Sequence, residues 1–228
     1  MRPLRHRATG RAVSDQTWAT LDGPGPRPRR VAIFGGTFNP IHYAHLAVAQ
    51  QARAALDLDC VLFMPAGSPP QKTLFAPSAD RAAMVSLAIA DNPHFALSTL
   101  ELDRTGPSYT VDTLSALAEQ IATRGLSTEL YFLISTETLA GLPTWHEAAR
   151  IPALARLIVT SREGSPRPAP GWLEAHFPRM TDRFIFVETL AGAYSSSDVR
   201  ALIGAGVGAR YLVPPAVGAY IDSHGLYR

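Results

Sequence analysis

Cysteine is almost missing from this sequence. Cys60 is the only one in 228 residues, so no intrachain disulfide can form, which suits a reducing compartment. Long apolar runs are missing too. No stretch approaches the roughly 18 to 20 residues that span a bilayer, and the first thirty residues hold no apolar segment of signal-peptide type. The expectation is a cytoplasmic protein with no membrane partner. Net charge is only +2, but it is unevenly spread. Seven arginines against Asp15 and Asp22 give residues 1–30 a charge of +5, which leaves −3 for the rest. Residues 1–29 are rich in proline, glycine and arginine and have no hydrophobic period, so they are expected to be a disordered basic extension before one domain at 30–228. A nucleic-acid arm or a transit peptide is an alternative for such a segment; a solvated tail with no nucleic-acid partner is the preferred reading. The chain also has no GxxxxGK[ST] loop, no HExxH and no internal repeat, which excludes a P-loop and the common zinc-hydrolase signature.

What the sequence does have is a 46% hydrophobic composition, ample for a buried core, and a regular alternation of elements. VAIFG precedes a helical pattern at 44–56, CVLFMP one at 80–90, and FALSTLEL one at 110–124; ELYFLIS, RLIVTS and FIFVE follow with helices or loops between. Strands that are apolar throughout and separated by helix-length segments predict an α/β fold, a Rossmann-like doubly wound parallel sheet with helices on both faces in a single domain. Ligands of such sheets bind beyond the carboxyl ends of the strands. GGTFNPIH, GSPPQK, STETL, SREG and YSSS all follow strands and could line one crevice.

Two motifs point elsewhere and are set aside. LIGAGVGA at 202–209 has the glycine spacing of a dinucleotide fingerprint, but such a fingerprint must open a helix, and Pro214 and Pro215 interrupt any helix after it almost at once. A glycine-rich helix end explains it. His42 and His45, three apart, could share zinc, yet no second cluster supplies a third ligand. Two packed or solvated histidines at a helix start remain the plainer alternative. The physical reading of GGTFNPIHYAH is different: Gly35 and Gly36 let backbone approach a ligand, Pro40 turns the chain, and a helix opening near His42 offers unsatisfied N–H groups and a positive dipole. Two imidazoles beside that end suit a nucleoside triphosphate better than a metal.

GGTFNPIHYAH resembles the (H/T)xGH signature of the nucleotidylyltransferases, and the version with PIH before tyrosine is similar to the bacterial nicotinate-nucleotide adenylyltransferases. SPPQK (68–72), RTGPSYTVDTL (104–114), LPTWHE (142–147) and SSSDVR (195–200) extend the likeness, in family order, from about residue 31 to 224. The resemblance implies adenylyl transfer from ATP to nicotinate mononucleotide, giving nicotinate adenine dinucleotide and pyrophosphate in NAD biosynthesis. It implies that His42, His45 and Arg200 are catalytic, and that ATP is bound by Gly35, Gly36, Thr37, Phe38, the two histidines, Ser135, Glu137, Ser195, Ser196 and Arg200. Ser195 or Ser196 can cap a helix facing the phosphates, with Arg200 one turn on. The acceptor would meet Asn39, Lys72, Thr110, Trp145 and His146, with the indole stacked on the pyridine ring and Thr110 at its carboxylate. Mg2+ is expected as cofactor, held mainly by phosphates and not by a protein site; homo-oligomerisation is left open.

Three positions depart from the family pattern. Ala44 replaces the usual glycine of the histidine signature, and a G-x-D after the fourth strand reads Ser135, Thr136, Glu137. Alanine is tolerated if its backbone is helical. Ser135 crowds the adenosine approach, and Glu137 keeps a carboxylate for the ribose on a longer arm. Two alternatives therefore stand beside the main expectation: a sibling adenylyltransferase for nicotinamide mononucleotide or phosphopantetheine, and a nucleotide-binding module with reduced turnover.

Overall fold

The apolar runs build the sheet. The computed structural model describes residues 27–69, 74–161 and 167–228. Its strands are β1 (Arg29–Gly36), β2 (Cys60–Pro65), β3 (Phe95–Leu97), β4 (Thr128–Ser135), β5 (Arg156–Ser161) and β6 (Phe184–Glu188). All pairs are parallel, in the order β3-β2-β1-β4-β5-β6. The helices between them are α1 (Tyr43–Leu56), α2 (Ser78–Ile89), α3 (Thr110–Thr123), α4 (Thr136–Gly141) and α5 (Ile151–Leu154). They are followed by α6 (Trp172–His176), α7 (Ser196–Gly204) and α8 (Pro215–His224).

The period-2 alternation of side chains sorts the core into two layers. Val31, Ile33, Leu62, Phe132 and Leu157 face α3, through Leu114 and Leu117. Ala32, Val61, Phe63, Leu133 and Ile158 face α1, α2, α7 and α8, through Ala49, Met84, Val199 and Val217. A strand covered on both sides cannot alternate apolar and polar, which is why these runs read as continuous hydrophobic segments. At about 1.5–3 kcal/mol for each large aliphatic side chain fully buried, the central strands fix the register of everything attached to them.

The helices lie within two residues of the expected spans. The third strand is shorter than FALSTLEL suggested: after Leu97, Ser98 gives its N–H to Phe63 and the chain turns through Leu102 N–H to Thr99 O. The N-terminal boundary also moves. Arg29 opens β1, and Arg27 reaches back to Asp57 at 2.8 Å and Asp59 at 2.7 Å. Burial alone would raise the Asp59 carboxyl, but bonds from the Arg30 N–H, Arg27 and Arg29 hold it below the ordinary aspartate value. Residues 27–29 are thus attached to the sheet; residues 1–26 of the expected extension lie outside the described residues.

Candidate active site

The strand order reverses between β1 and β4, and the carboxyl ends of parallel strands diverge at such a switch point. A crevice of about 750 Å³ opens there, and Gly35, Gly36, Thr37, Asn39, His42 and His45 line it from the β1 side. A side chain at Gly36 would come within 3.1–3.3 Å of the Phe38 ring, closer than nearly all side-chain contacts, so a larger residue would have to displace that ring. Phe38, expected at ATP, turns its side chain into the core and away from the crevice. It lines no described cavity, holds φ at 46°, and is 1% exposed, edge-on to both Phe34 and His45. It is the floor on which the histidine rests.

His42 takes an extended backbone and caps α1, while the helix proper starts at Tyr43. The His42 N–H donates to His45 Nδ1 at 3.3 Å. In the neutral ring this leaves the proton on Nε2, the nitrogen on the other side of the imidazole. The two rings stack with centroids 3.7 Å apart. Ala44 is the second residue of α1 and 5% exposed; its helical backbone accommodates the methyl that replaces the family's glycine.

The opposite wall is the start of α7. Ser195, not Ser196, is the cap: its Oγ accepts the Asp198 N–H at 3.3 Å, while Asp198 Oδ2 accepts the Ser195 N–H and hydroxyl, both at 2.7 Å. Those bonds hold the Asp198 carboxyl below its ordinary range. Ser196 Oγ instead donates to Pro40 O at 2.9 Å, and Arg200 Nη1 to Asn39 O at 2.7 Å. The Arg200 guanidinium lies 4.4 Å over the exposed ring of Phe75, a crevice residue that the sequence did not single out. Asn39, expected at the acceptor, lines this crevice instead, and its Oδ1 accepts from Tyr227 Oη at 2.8 Å. The chain returns here after a cis Asn39–Pro40 peptide.

From the β4 side come Ser135 and Glu137. Ser135 Oγ caps the short helix α4 by accepting the Thr138 N–H at 3.2 Å, so the departure from glycine has a local structural use. Glu137, in the first turn of α4, presents to the same crevice.

A second cavity, about 490 Å³, adjoins the first and shares Gly35, Gly36, Thr37, Phe132, Thr138 and Trp145 with it. Thr110 stands at the first position of α3, whose amino end opens into this space. Trp145 is half-buried with its ring 6.2 Å from Phe132, and His146 lies 4.4 Å from the ring of Tyr109. Lys72 lies outside the described residues. Glu101 was missed by sequence reading: it lines this cavity at 8% exposure, accepts from Thr113 Oγ1 at 2.8 Å, and burial raises its carboxyl above the ordinary range. Ser108 Oγ accepts the N–H groups of Gly67 and Ser68, both at 3.1 Å. A side chain at Gly67 would sit 2.2 Å from Glu101 O, so the two loops pack backbone to backbone.

Among the described residues no three histidine, cysteine or carboxylate side chains converge as a metal site. No helix there is long and apolar enough to cross a membrane. The geometry is that of two joined compartments, one ringed by hydrogen-bond donors and helix amino ends, the other by aromatic rings and a helix amino end.

Known proteins share this plan. A cytidylyltransferase-like family model matches residues 33–202. A protein of Roseiflexus sp. (strain RS-1) named "Probable nicotinate-nucleotide adenylyltransferase" is 47% identical over 200 residues, covering 87% of this chain and 98% of its own length. A protein of the same name from Synechococcus sp. (strain JA-3-3Ab) is 43% identical over 209 residues, covering 91% and 99%. The solved Plasmodium falciparum nicotinic acid mononucleotide adenylyltransferase complexed with NaAD matches with a TM-score of 0.70 at 18% identity, over 87% of this chain and 97% of that one. At that identity the likeness is one of fold.

Proposed function

Because the chain belongs to the cytidylyltransferase-like family, and within it to the nicotinate-nucleotide adenylyltransferases, we propose that it joins ATP and nicotinate mononucleotide into nicotinate adenine dinucleotide, releasing pyrophosphate, as a step of NAD biosynthesis. One observation carries the reading: two cavities of nucleotide size meet at Gly35–Thr37, so two bound nucleotides would touch at that loop. A phosphate oxygen of the acceptor attacks the α-phosphorus of ATP, and the bond to the β-phosphate breaks with its electrons leaving on pyrophosphate. The nucleophile is already an anion, so nothing must deprotonate it. Catalysis is alignment of two polyanions and stabilisation of charge at the transferring group.

In this reading His45 donates from Nε2 to the α-phosphoryl oxygens, and His42 fixes the ring through its N–H and stacks on it. The amino end of α7 and Arg200 receive the β- and γ-phosphates. Glu137 accepts from the ribose hydroxyls. In the second cavity Trp145 stacks on the pyridine and Thr110 with the α3 amino end meets its carboxylate. Magnesium would be held mainly by the phosphates of the bound nucleotide, where it would supply positive charge at the transferring group. We place the reaction in the cytoplasm and residues 1–26 outside the catalytic unit. Incubating the protein with ATP, magnesium and nicotinate mononucleotide, nicotinamide mononucleotide or phosphopantetheine in turn, and weighing the product, tests the assignment. The nicotinate dinucleotide is expected as the main product; equal turnover of the nicotinamide form overturns the acceptor choice.

A further inference from the structure

The loop between the two cavities rests on a cation that nothing in the mechanism above uses. Arg81, in α2, is 0% exposed, yet it makes one hydrogen bond, Nη1 to Thr37 O at 2.8 Å. Its Nε and Nη2 are buried without a hydrogen-bond partner, and among the described residues no carboxylate forms an ion pair with it. The neighbouring Asp80 accepts instead from Tyr220 Oη at 2.8 Å. Burial pulls the guanidinium below its ordinary range, opposed only by Tyr227. An enclosed guanidinium with most of its donors unmatched is unfavourable compared with a packed apolar side chain of similar volume. It therefore contributes little to folding that methionine could not.

What Arg81 touches gives it a use. Thr37 lines both cavities at their junction. In a trans peptide the C=O and the following N–H point in opposite directions. With Thr37 O drawn down to Arg81, the Phe38 N–H is turned the other way, away from the guanidinium. Arg200 grips the same loop two residues later at Asn39 O, from α7. We propose that Arg81 is a positioning residue for adenylyl transfer: it sets the Thr37–Phe38 peptide and places a buried positive charge beneath the point where the phosphates of the two substrates meet. Low dielectric around the guanidinium strengthens its pull on that anionic charge.

The inference rests on the nucleotide reading of the crevice, and the test separates the two. ATP binding by calorimetry, ligand-free melting temperature, kcat and KM are measured for the parent, Arg81→Met and Arg81→Lys. The Met variant is expected to melt at the parental temperature or above, to bind ATP at least tenfold more weakly, and to lose kcat as well. The Lys variant, which keeps the charge, is expected to recover most of the affinity. A merely structural arginine gives the reverse pattern, a lower melting temperature with unchanged affinity of the folded fraction. A Met variant that fails to fold, or that binds like the parent, overturns the proposal, as does a Lys variant no better than Met. A parent that binds no ATP overturns the reading of the crevice itself.

Discussion

The two cavities are assembled in different ways. The larger crevice, proposed to take ATP, is closed by contacts between segments far apart in sequence: Ser196 to Pro40, Arg200 to Asn39 and Tyr227 to Asn39 span 156, 161 and 188 residues. The second cavity, proposed to take the acceptor, is closed by nearer neighbours, with Thr113 on Glu101 and Ser108 on Gly67 separated by 12 and 41 residues. Two side chains of α7 and Tyr227 beyond α8 hold the first, whereas in the second Ser108 ties one loop to another at Gly67 and Thr113 of α3 takes Glu101. Geometry fixed by packed helices is less able to relax than geometry fixed by loops. The phosphate end should therefore respond to mutation in rate, and the acceptor end in selectivity and stability.

The sharpest break of that contrast is His45→Ala. Removing a donor to developing charge is expected to lower turnover about 10²-fold or more. The melting temperature should stay near the parental value, because the ring is not enclosed in the core. Steady-state rates and a thermal melt on the same preparation decide it, and a near-normal rate removes His45 from the charge-stabilising role.

Thr110→Ala acts on the other compartment. Loss of one donor to a buried carboxylate costs about 1–3 kcal/mol, or roughly ten- to hundredfold. The preference for nicotinate over nicotinamide mononucleotide is expected to narrow by that factor while ATP affinity holds. Comparing kcat/KM for the two acceptors checks this; an equal loss on both would move carboxylate recognition elsewhere.

Glu101 gives a smaller, pH-dependent effect. Its folded carboxyl titrates above the ordinary glutamate value, so between those two values the folded protein binds more protons than the unfolded one and stability falls as pH rises. Glu101→Gln is expected to flatten that decline, visible as a melting temperature that changes less as pH rises above the ordinary glutamate value. An unchanged slope would assign the decline to other groups. Smallest of all, removing residues 1–26 should leave kcat and melting temperature unaltered, while cutting past Arg27 breaks its pairing with Asp57 and Asp59 and should lower the melting temperature. A loss of ATP affinity on the shorter cut would contradict a separate extension.

Much of this was legible in the sequence for a definite reason. Strand runs buried on both faces leave continuous apolar signatures, and the loops that follow them carry unusual residues close together, so GGTFNPIH and SSSDVR stand out from their flanks by composition alone. LIGAGVGA is a helix end, as its flanking prolines imply, with Gly206 and Gly208 at positive φ after α7. What was not legible depended on the far side of the fold. Phe38 sits inside a ligand-binding motif yet turns into the core, because its φ of 46° points the ring beneath the loop. Arg81 and Glu101 look like surface charges on a helix and in a loop; only tertiary packing encloses them. Asn39 lines the larger crevice, and its side chain is claimed by Tyr227 from the far end of the sequence.

That last bond has a consequence for the order of manufacture. A ribosome delivers the GGTFNP loop early, and the sheet around β1 can begin to form behind it, but the hydroxyl that fixes Asn39 emerges 188 residues later. Arg200 arrives only shortly before. During that interval the loop has partners on one side alone. A chain lacking these late residues would carry the full histidine motif with its loop held by Arg81 at Thr37 O but not yet by Arg200 or Tyr227 at Asn39. The Asn39 side of the loop can take this form only once α7 and Tyr227 are present, however early the sheet forms.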